Sequence, residues 1–163
     1  MDEFNGNRRR TELIRGVVLE KVKRSPLHVA VASRLFNRLS ASAPAGVVVW
    51  KDDPLTFADS EPEPDVYVVC GSKDDFRTAH PSTAELVIEV AVSSPALDRE
   101  NASLYAEAGV KEYWIVLATE WQIEIYRRPQ NGRYQEVRTA GTDETLECSA
   151  VPGVRLRVSD LLV

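Results

Sequence analysis

The sequence is short of the residues that staple small proteins or cage metals. It contains two cysteines, Cys70 and Cys148, and two histidines, His28 and His80, in 163 residues. The cysteines make neither a metal-binding spacing nor a disulfide framework, which suits a reducing cytoplasm. A thiol hydrolase built from Cys70 with His28 or His80 lacks any activating motif. No run approaches the roughly 18 apolar residues that a membrane span requires, and no apolar stretch follows the basic N-terminus. Internal repeats and low-complexity segments are absent. Positive charge is in deficit, with 20 Lys and Arg against 25 Asp and Glu and a net charge of −5. The molecule as a whole is therefore not composed to coat nucleic acid. These absences lead us to expect a soluble, cytoplasmic protein.

What is present is ordinary globular material, 44% hydrophobic and 28% charged. A chain of this length buries roughly 68–70% of the surface its unfolded form exposes, so it needs no cross-links. We expect residues 11–163 to form one domain behind a poorly ordered segment, residues 1–10. Three basic clusters stand out: Arg8 to Arg10; Lys21, Lys23 and Arg24; and Arg127 with Arg128. Taken singly, each reads as solvated surface charge; a phosphate-contacting rim would need them on one face.

Local signals divide the chain into elements. Thr11 to Lys23 reads as a hairpin turning near Arg15-Gly16. Ser25-Pro26 pairs a capping residue with proline at the first helical position, and Leu27, Val31, Leu35 and Leu39 then recur at spacings of four. That predicts a helix to about Ser40, with His28 at the edge of its apolar stripe. A histidine there is more often packing than chemistry, which leaves it a supporting role at most. Gly46 to Trp50 is a strand broken by Asp52-Asp53-Pro54, an acidic pair that reads as a turn rather than a metal site. Glu61-Pro62-Glu63-Pro64 forces an extended approach to a strand over Asp65 to Cys70. Trp121 to Tyr126 alternates as a half-exposed strand, Pro129-Gln130-Asn131-Gly132 marks a turn, and Arg133 to Val137 completes a second hairpin. The tail reads as a loop, a short strand and a last helical turn.

Between these lies Glu85 to Leu117, a strand, helix and strand. Its first strand, Leu86 to Val92, is apolar on both faces except at Glu89. A carboxylate shares that face with Val87, Ala91 and Ser93, where it demands a cation or several hydrogen-bond donors. Asp65, at the mouth of another strand, could supply the second carboxylate of a site for a hard cation such as Mg²⁺. The helix begins at Ser93-Ser94-Pro95 and ends at Gly109, with Leu97, Leu104, Tyr105 and Ala108 as its stripe. Asn101 interrupts that stripe and could reach back toward Glu89. Tyr113 to Leu117 should then lie parallel to the Glu89 strand.

The sequences LVIEVAVSS and DRENASLYAEAGVKEYWIV, together with the ELIRG hairpin, the helix opening SPLH, the EPEPD strand and the VPGVRLRVSDLL ending, carry a resemblance. The chain resembles the bacterial Uma-two family of restriction-endonuclease-like proteins, which is similar to the PD-(D/E)XK nuclease superfamily. The resemblance implies an α/β (α+β) fold: a restriction-endonuclease-like mixed β-sheet flanked by helices, with an N-terminal β-hairpin. It implies Asp65 and Glu89 as catalytic carboxylates and metal ligands for Mg²⁺, with Mn²⁺ as a substitute, DNA as substrate, and a homodimer if both strands are cut together. The superfamily's lysine, two residues after the glutamate, is Ala91 here. In the resembling family the lysine lies four residues before the tyrosine, and that position is Asn101. Lys51, Lys73 or Lys111 would then have to bring an ammonium from elsewhere. Two readings follow: a metal-dependent endonuclease, or a catalytically inactive nuclease-fold module that binds nucleic acid or protein.

Overall fold

The computed structural model describes residues 9–162. Residues 1–8, most of the segment expected to be disordered, lie outside the described residues. Just before the first strand, the Arg10 carbonyl accepts the Lys21 N–H at 2.8 Å and its guanidinium pairs with Glu63 at 3.4 Å.

The chain opens with β1 (Thr11–Ile14) and β2 (Val17–Glu20), paired antiparallel about Arg15-Gly16. Both turn residues have positive φ, 49° and 77°, as a two-residue hairpin that keeps the strand twist requires. This hairpin is docked along the 59–63 segment, with Glu61 N–H donating to Leu13 O at 2.7 Å and Gly16 N–H to Asp59 O at 2.8 Å. Helix α1 (Pro26–Ser42) follows. Ser25 Oγ accepts the His28 N–H at 3.1 Å, which caps the helix and fixes the first turn that carries the His28 ring.

A six-stranded mixed sheet forms the centre, in the order β3-β4-β5-β6-β7-β8. Its strands are β3 (Val47–Lys51), β4 (Val66–Cys70), β5 (Leu86–Ala91), β6 (Glu112–Leu117), β7 (Gln122–Gln130) and β8 (Arg133–Ala140). Only β5 and β6 run parallel; the other neighbours are antiparallel. The parallel pair needs a crossover, supplied by α2 (Ala96–Glu100) and α3 (Ala102–Glu107). The single helix expected here is divided at Asn101, and Leu97 is 52% exposed rather than part of the buried stripe. Gly109, at φ +76°, ends α3 in the left-handed conformation a helix C-terminus favours.

The period of two along the strands sorts the core into two layers. Val31, Leu35 and Leu39 of α1 pack on Val66, Val68, Leu86, Ile88 and Val90, joined by tail residues such as Leu146 and Leu156. The opposite face carries Tyr67, Val87, Ala91, Tyr113 and Ile115 under Tyr105 of α3. The tail adds β9 (Thr145–Glu147), which the sequence reading missed, paired antiparallel with β10 (Arg155–Arg157), and ends in a 3₁₀ turn over Val158–Leu161. Strand β7 begins one residue later than expected because Trp121, at φ 53°, closes a turn by donating its N–H to Leu117 O at 2.9 Å. It also runs on to Gln130, so the second hairpin turns on Asn131-Gly132 alone. Among the described residues, no helix is long and apolar enough to cross a membrane.

Candidate active site

Strands β4 and β5 pair through Val66↔Ile88, and the ladder opens immediately beyond. Continuing the register one step sets Asp65 opposite Glu89. One step further it would set Pro64, which has no N–H, opposite Val90. The Asp65 side chain fills that gap: its Oδ2 accepts the Val90 N–H at 2.7 Å. The Asp65 N–H in turn donates to Glu89 Oε2 at 3.3 Å. The proline-preceded aspartate and the strand glutamate singled out from sequence are thus side by side.

Each carboxylate has further partners. His28 Nε2 donates to Asp65 Oδ2 at 3.1 Å, while its Nδ1 is buried without a partner. Arg24 lies 3.5 Å from Asp65 Oδ1 and 2.5 Å from Asp52 Oδ1. Tyr105 donates its hydroxyl to Glu89 Oε1 at 2.9 Å. Asp65 is 5% exposed. Burial works to raise its pKa, but the His28 hydrogen bond and charge, with the Val90 amide, hold it below the ordinary carboxylate value. Glu89 goes the other way. Burial first, then the charges of Asp65 and Asp98, push it well above the usual range, so it keeps its proton where Asp65 does not.

Asp98, in the first turn of α2, is the third carboxylate of this group. Its backbone carbonyl is fixed by the Tyr113 hydroxyl at 2.8 Å. Burial and the charges of Asp65 and Glu12 raise its carboxyl to about 7. Glu12 of β1 belongs to the same field; its Oε2 accepts the Glu63 N–H at 3.2 Å and lies 3.7 Å from Lys21 Nζ.

The other residues singled out from sequence fall differently. Asn101 sits at the junction of α2 and α3, and no hydrogen bond joins its amide to Glu89 or Asp65; Tyr105, one turn on, makes that contact instead. Lys51 is engaged with Ser33 and Asp52, Lys111 with Glu85, and Lys73 lies over the Trp50 ring. The cations beside the carboxylates are Lys21 and Arg24, from a cluster that read as solvated surface. Asp52, at φ 62°, is the turn residue its sequence suggested. The sequence reading placed Tyr105 in an apolar stripe and did not mark Asp98. For Asp98 a signal existed, an acid in the first turn of the helix leaving the Glu89 strand; for Lys21 and Arg24 none did.

Among the described residues, no group of three or more His, Cys, Asp or Glu side chains is arranged as a ready metal cage. The donor set nonetheless fits a hard divalent cation. Asp65 and Glu89 stand side by side, and burial first, then the charges of neighbouring carboxylates, raises the proton affinities of Glu89 and Asp98, with Lys21 opposing both shifts and His28 opposing the second. Mg²⁺ in particular binds through one or two carboxylates and keeps several waters.

A mixed sheet with one parallel pair, helices packed on both faces, and an Asp–Glu pair where two strands diverge defines a restriction-endonuclease-like protein. The fold matches a crystal structure described as a putative nuclease belonging to DUF820 from Anabaena variabilis ATCC 29413, with a TM-score of 0.76 and 19% identity over 93% of this chain and 88% of that one. The chain belongs to the Uma2 family, described as "Putative restriction endonuclease", which matches residues 1–159. No curated protein matches it.

Proposed function

We propose that this protein is a divalent-cation-dependent endonuclease acting on DNA, with Asp65 and Glu89 as the cation-holding carboxylates. The observation that carries the reading is the meeting of those two residues where β4 and β5 separate, with the Asp65 N–H on Glu89 Oε2 at 3.3 Å. Membership of the restriction-endonuclease family supports it. Hydrolysis of a phosphodiester consumes one water: a new oxygen–phosphorus bond forms, the phosphorus–oxygen bond to one sugar breaks, and the departing oxygen takes a proton. A bound Mg²⁺ or Mn²⁺ would supply charge stabilisation at the phosphate and lower the pKa of water. This chain's residues do the rest. Tyr105 and the Asp65 amide orient Glu89, while His28, Arg24 and the Val90 amide hold Asp65 ionised and in place. Cutting both strands together would call for two copies of the chain.

A second reading, an inactive nuclease-fold module, is favoured by one observation: the position where the resembling family carries lysine is the uncharged Asn101, whose amide does not reach Glu89. Loss of one such electrostatic group costs on the order of 10²–10³ in rate. Incubation of the purified protein with supercoiled, linear and single-stranded DNA in Mg²⁺, Mn²⁺ or chelator separates the readings. The nuclease reading expects cation-dependent nicking that Glu89→Ala abolishes and Asn101→Lys raises. It is overturned if nothing is cut and calorimetry finds no cation binding that depends on Asp65 and Glu89.

A further inference from the structure

The uncharged Asn101 raises the question of where a positive charge could come from. Lys51, Lys73 and Lys111 are committed to other partners, as described above. Lys21, just beyond the end of β2, is placed differently. Its side chain is only 16% exposed, its Nζ donates to Glu63 O at 2.7 Å, and Glu12 Oε2 lies at 3.7 Å. Glu63 is two residues before Asp65, so the ammonium is anchored on the extended segment that delivers the first carboxylate. An ammonium carries three N–H donors, and the carbonyl takes one. Arg24 spends its guanidinium on holding Asp52 and Asp65.

We propose that Lys21, from the segment joining the hairpin to α1, supplies beside Asp65 and Glu89 the positive charge that the Asn101 position lacks. The ammonium stands on the Glu63 carbonyl, two residues from Asp65, and keeps donors for a phosphate oxygen. This inference rests on the nuclease reading for its consequence but not for its placement, and the two can be tested apart.

The test uses the full chain with Lys21→Met, Lys21→Arg and the double variant Lys21→Met/Asn101→Lys, each checked for folding by thermal melting in chelator. Calorimetric titration with Mg²⁺ alone reads the placement. Removing a cation from an acidic site should tighten Mg²⁺ binding about tenfold, and Asn101→Lys should return it toward the wild-type value. Nicking of supercoiled DNA in Mg²⁺ reads the consequence. Lys21→Met should lose on the order of 10²–10³-fold in rate. Lys21→Arg should keep the rate within about tenfold, and the double variant should recover at least that much. An unchanged Mg²⁺ affinity in Lys21→Met overturns the inference, as does a nicking defect that neither Lys21→Arg nor Asn101→Lys repairs. The predicted affinity changes without nicking by any variant would support the placement of Lys21 and overturn the nuclease reading. A chain that binds no Mg²⁺ and cuts nothing overturns both.

Discussion

Replacing Asp98 by asparagine should stabilise the cation-free protein, and by an amount that depends on pH. The carboxyl ionises near 3.8 in an unfolded chain and at about 7 in the fold, because burial and the charges of Asp65 and Glu12 oppose its ionisation. Below 3.8 both states hold the proton and Asp98 contributes nothing. Between 3.8 and 7 the unfolded chain loses its proton while the native protein keeps it, so native stability falls as pH rises. Above 7 both states are ionised and the penalty is complete. At about 1.4 kcal/mol per pH unit the interval sets a ceiling on the order of 4 kcal/mol, and partial solvent access at the site reduces it to about 2–3 kcal/mol. The amide has the same shape, and the Tyr113 hydrogen bond to the Asp98 carbonyl is untouched. Urea denaturation in chelator should therefore show Asp98→Asn more stable than wild type by about 2–3 kcal/mol at pH 8, and by under about 1 kcal/mol at pH 4.5. A gain below about 0.5 kcal/mol at pH 8, or one independent of pH, would refute the raised proton affinity of Asp98 in the fold.

Glu112→Ala should be the costliest single change away from the site. Its carboxylate, in a residue 1% exposed, accepts from Trp114 Nε1 at 2.8 Å, Arg127 Nε at 3.0 Å, Ser149 N–H at 2.6 Å and the Ser149 hydroxyl. Stranding those donors should cost about 3–5 kcal/mol in urea denaturation, and a cost under about 1 kcal/mol would contradict the burial. Tyr105→Phe, which removes the hydroxyl from Glu89 and leaves the ring, should cost about 1 kcal/mol, with Glu89 then free to swing, a change visible as faster amide exchange around β5. Asp65 behaves oppositely to Asp98. Its lowered pKa contributes stability that is present above 3.8 and is lost as pH falls through the folded value, so His28→Ala should flatten the acid limb of the stability profile below pH 4.

The crossover unit from Leu86 to Leu117 was legible because its signals are local: apolar runs, a proline near the helix start and Gly109 at the helix end. The hairpin turn at Arg15-Gly16 was legible for the same reason. Asp65 and Glu89 could be singled out because each violates the pattern of its own strand. What pattern cannot supply is the third dimension. Lys21 and Arg24 sit 44 and 41 positions before Asp65 in sequence, and only the folded chain brings Lys21 onto the Glu63 carbonyl and Arg24 to Asp65. Tyr105 was hidden differently, since a tyrosine satisfies an apolar stripe with its ring while its hydroxyl serves Glu89. The interruption at Asn101 leaves the backbone in the helical region, at φ −70° and ψ −9°, so neither a proline nor a glycine announced it.

The Val90 amide, donated to a side chain where the β4–β5 ladder would have offered a backbone carbonyl, gives the protein a built-in gauge. Ladder amides report whether a sheet is intact, whereas this one reports the state of a single carboxylate. Its nitrogen and proton resonances should follow Asp65 through titration, through loss of His28, and through the arrival of a cation. One backbone signal would thus record, without substrate and without mutation, how the entrance to the site is charged.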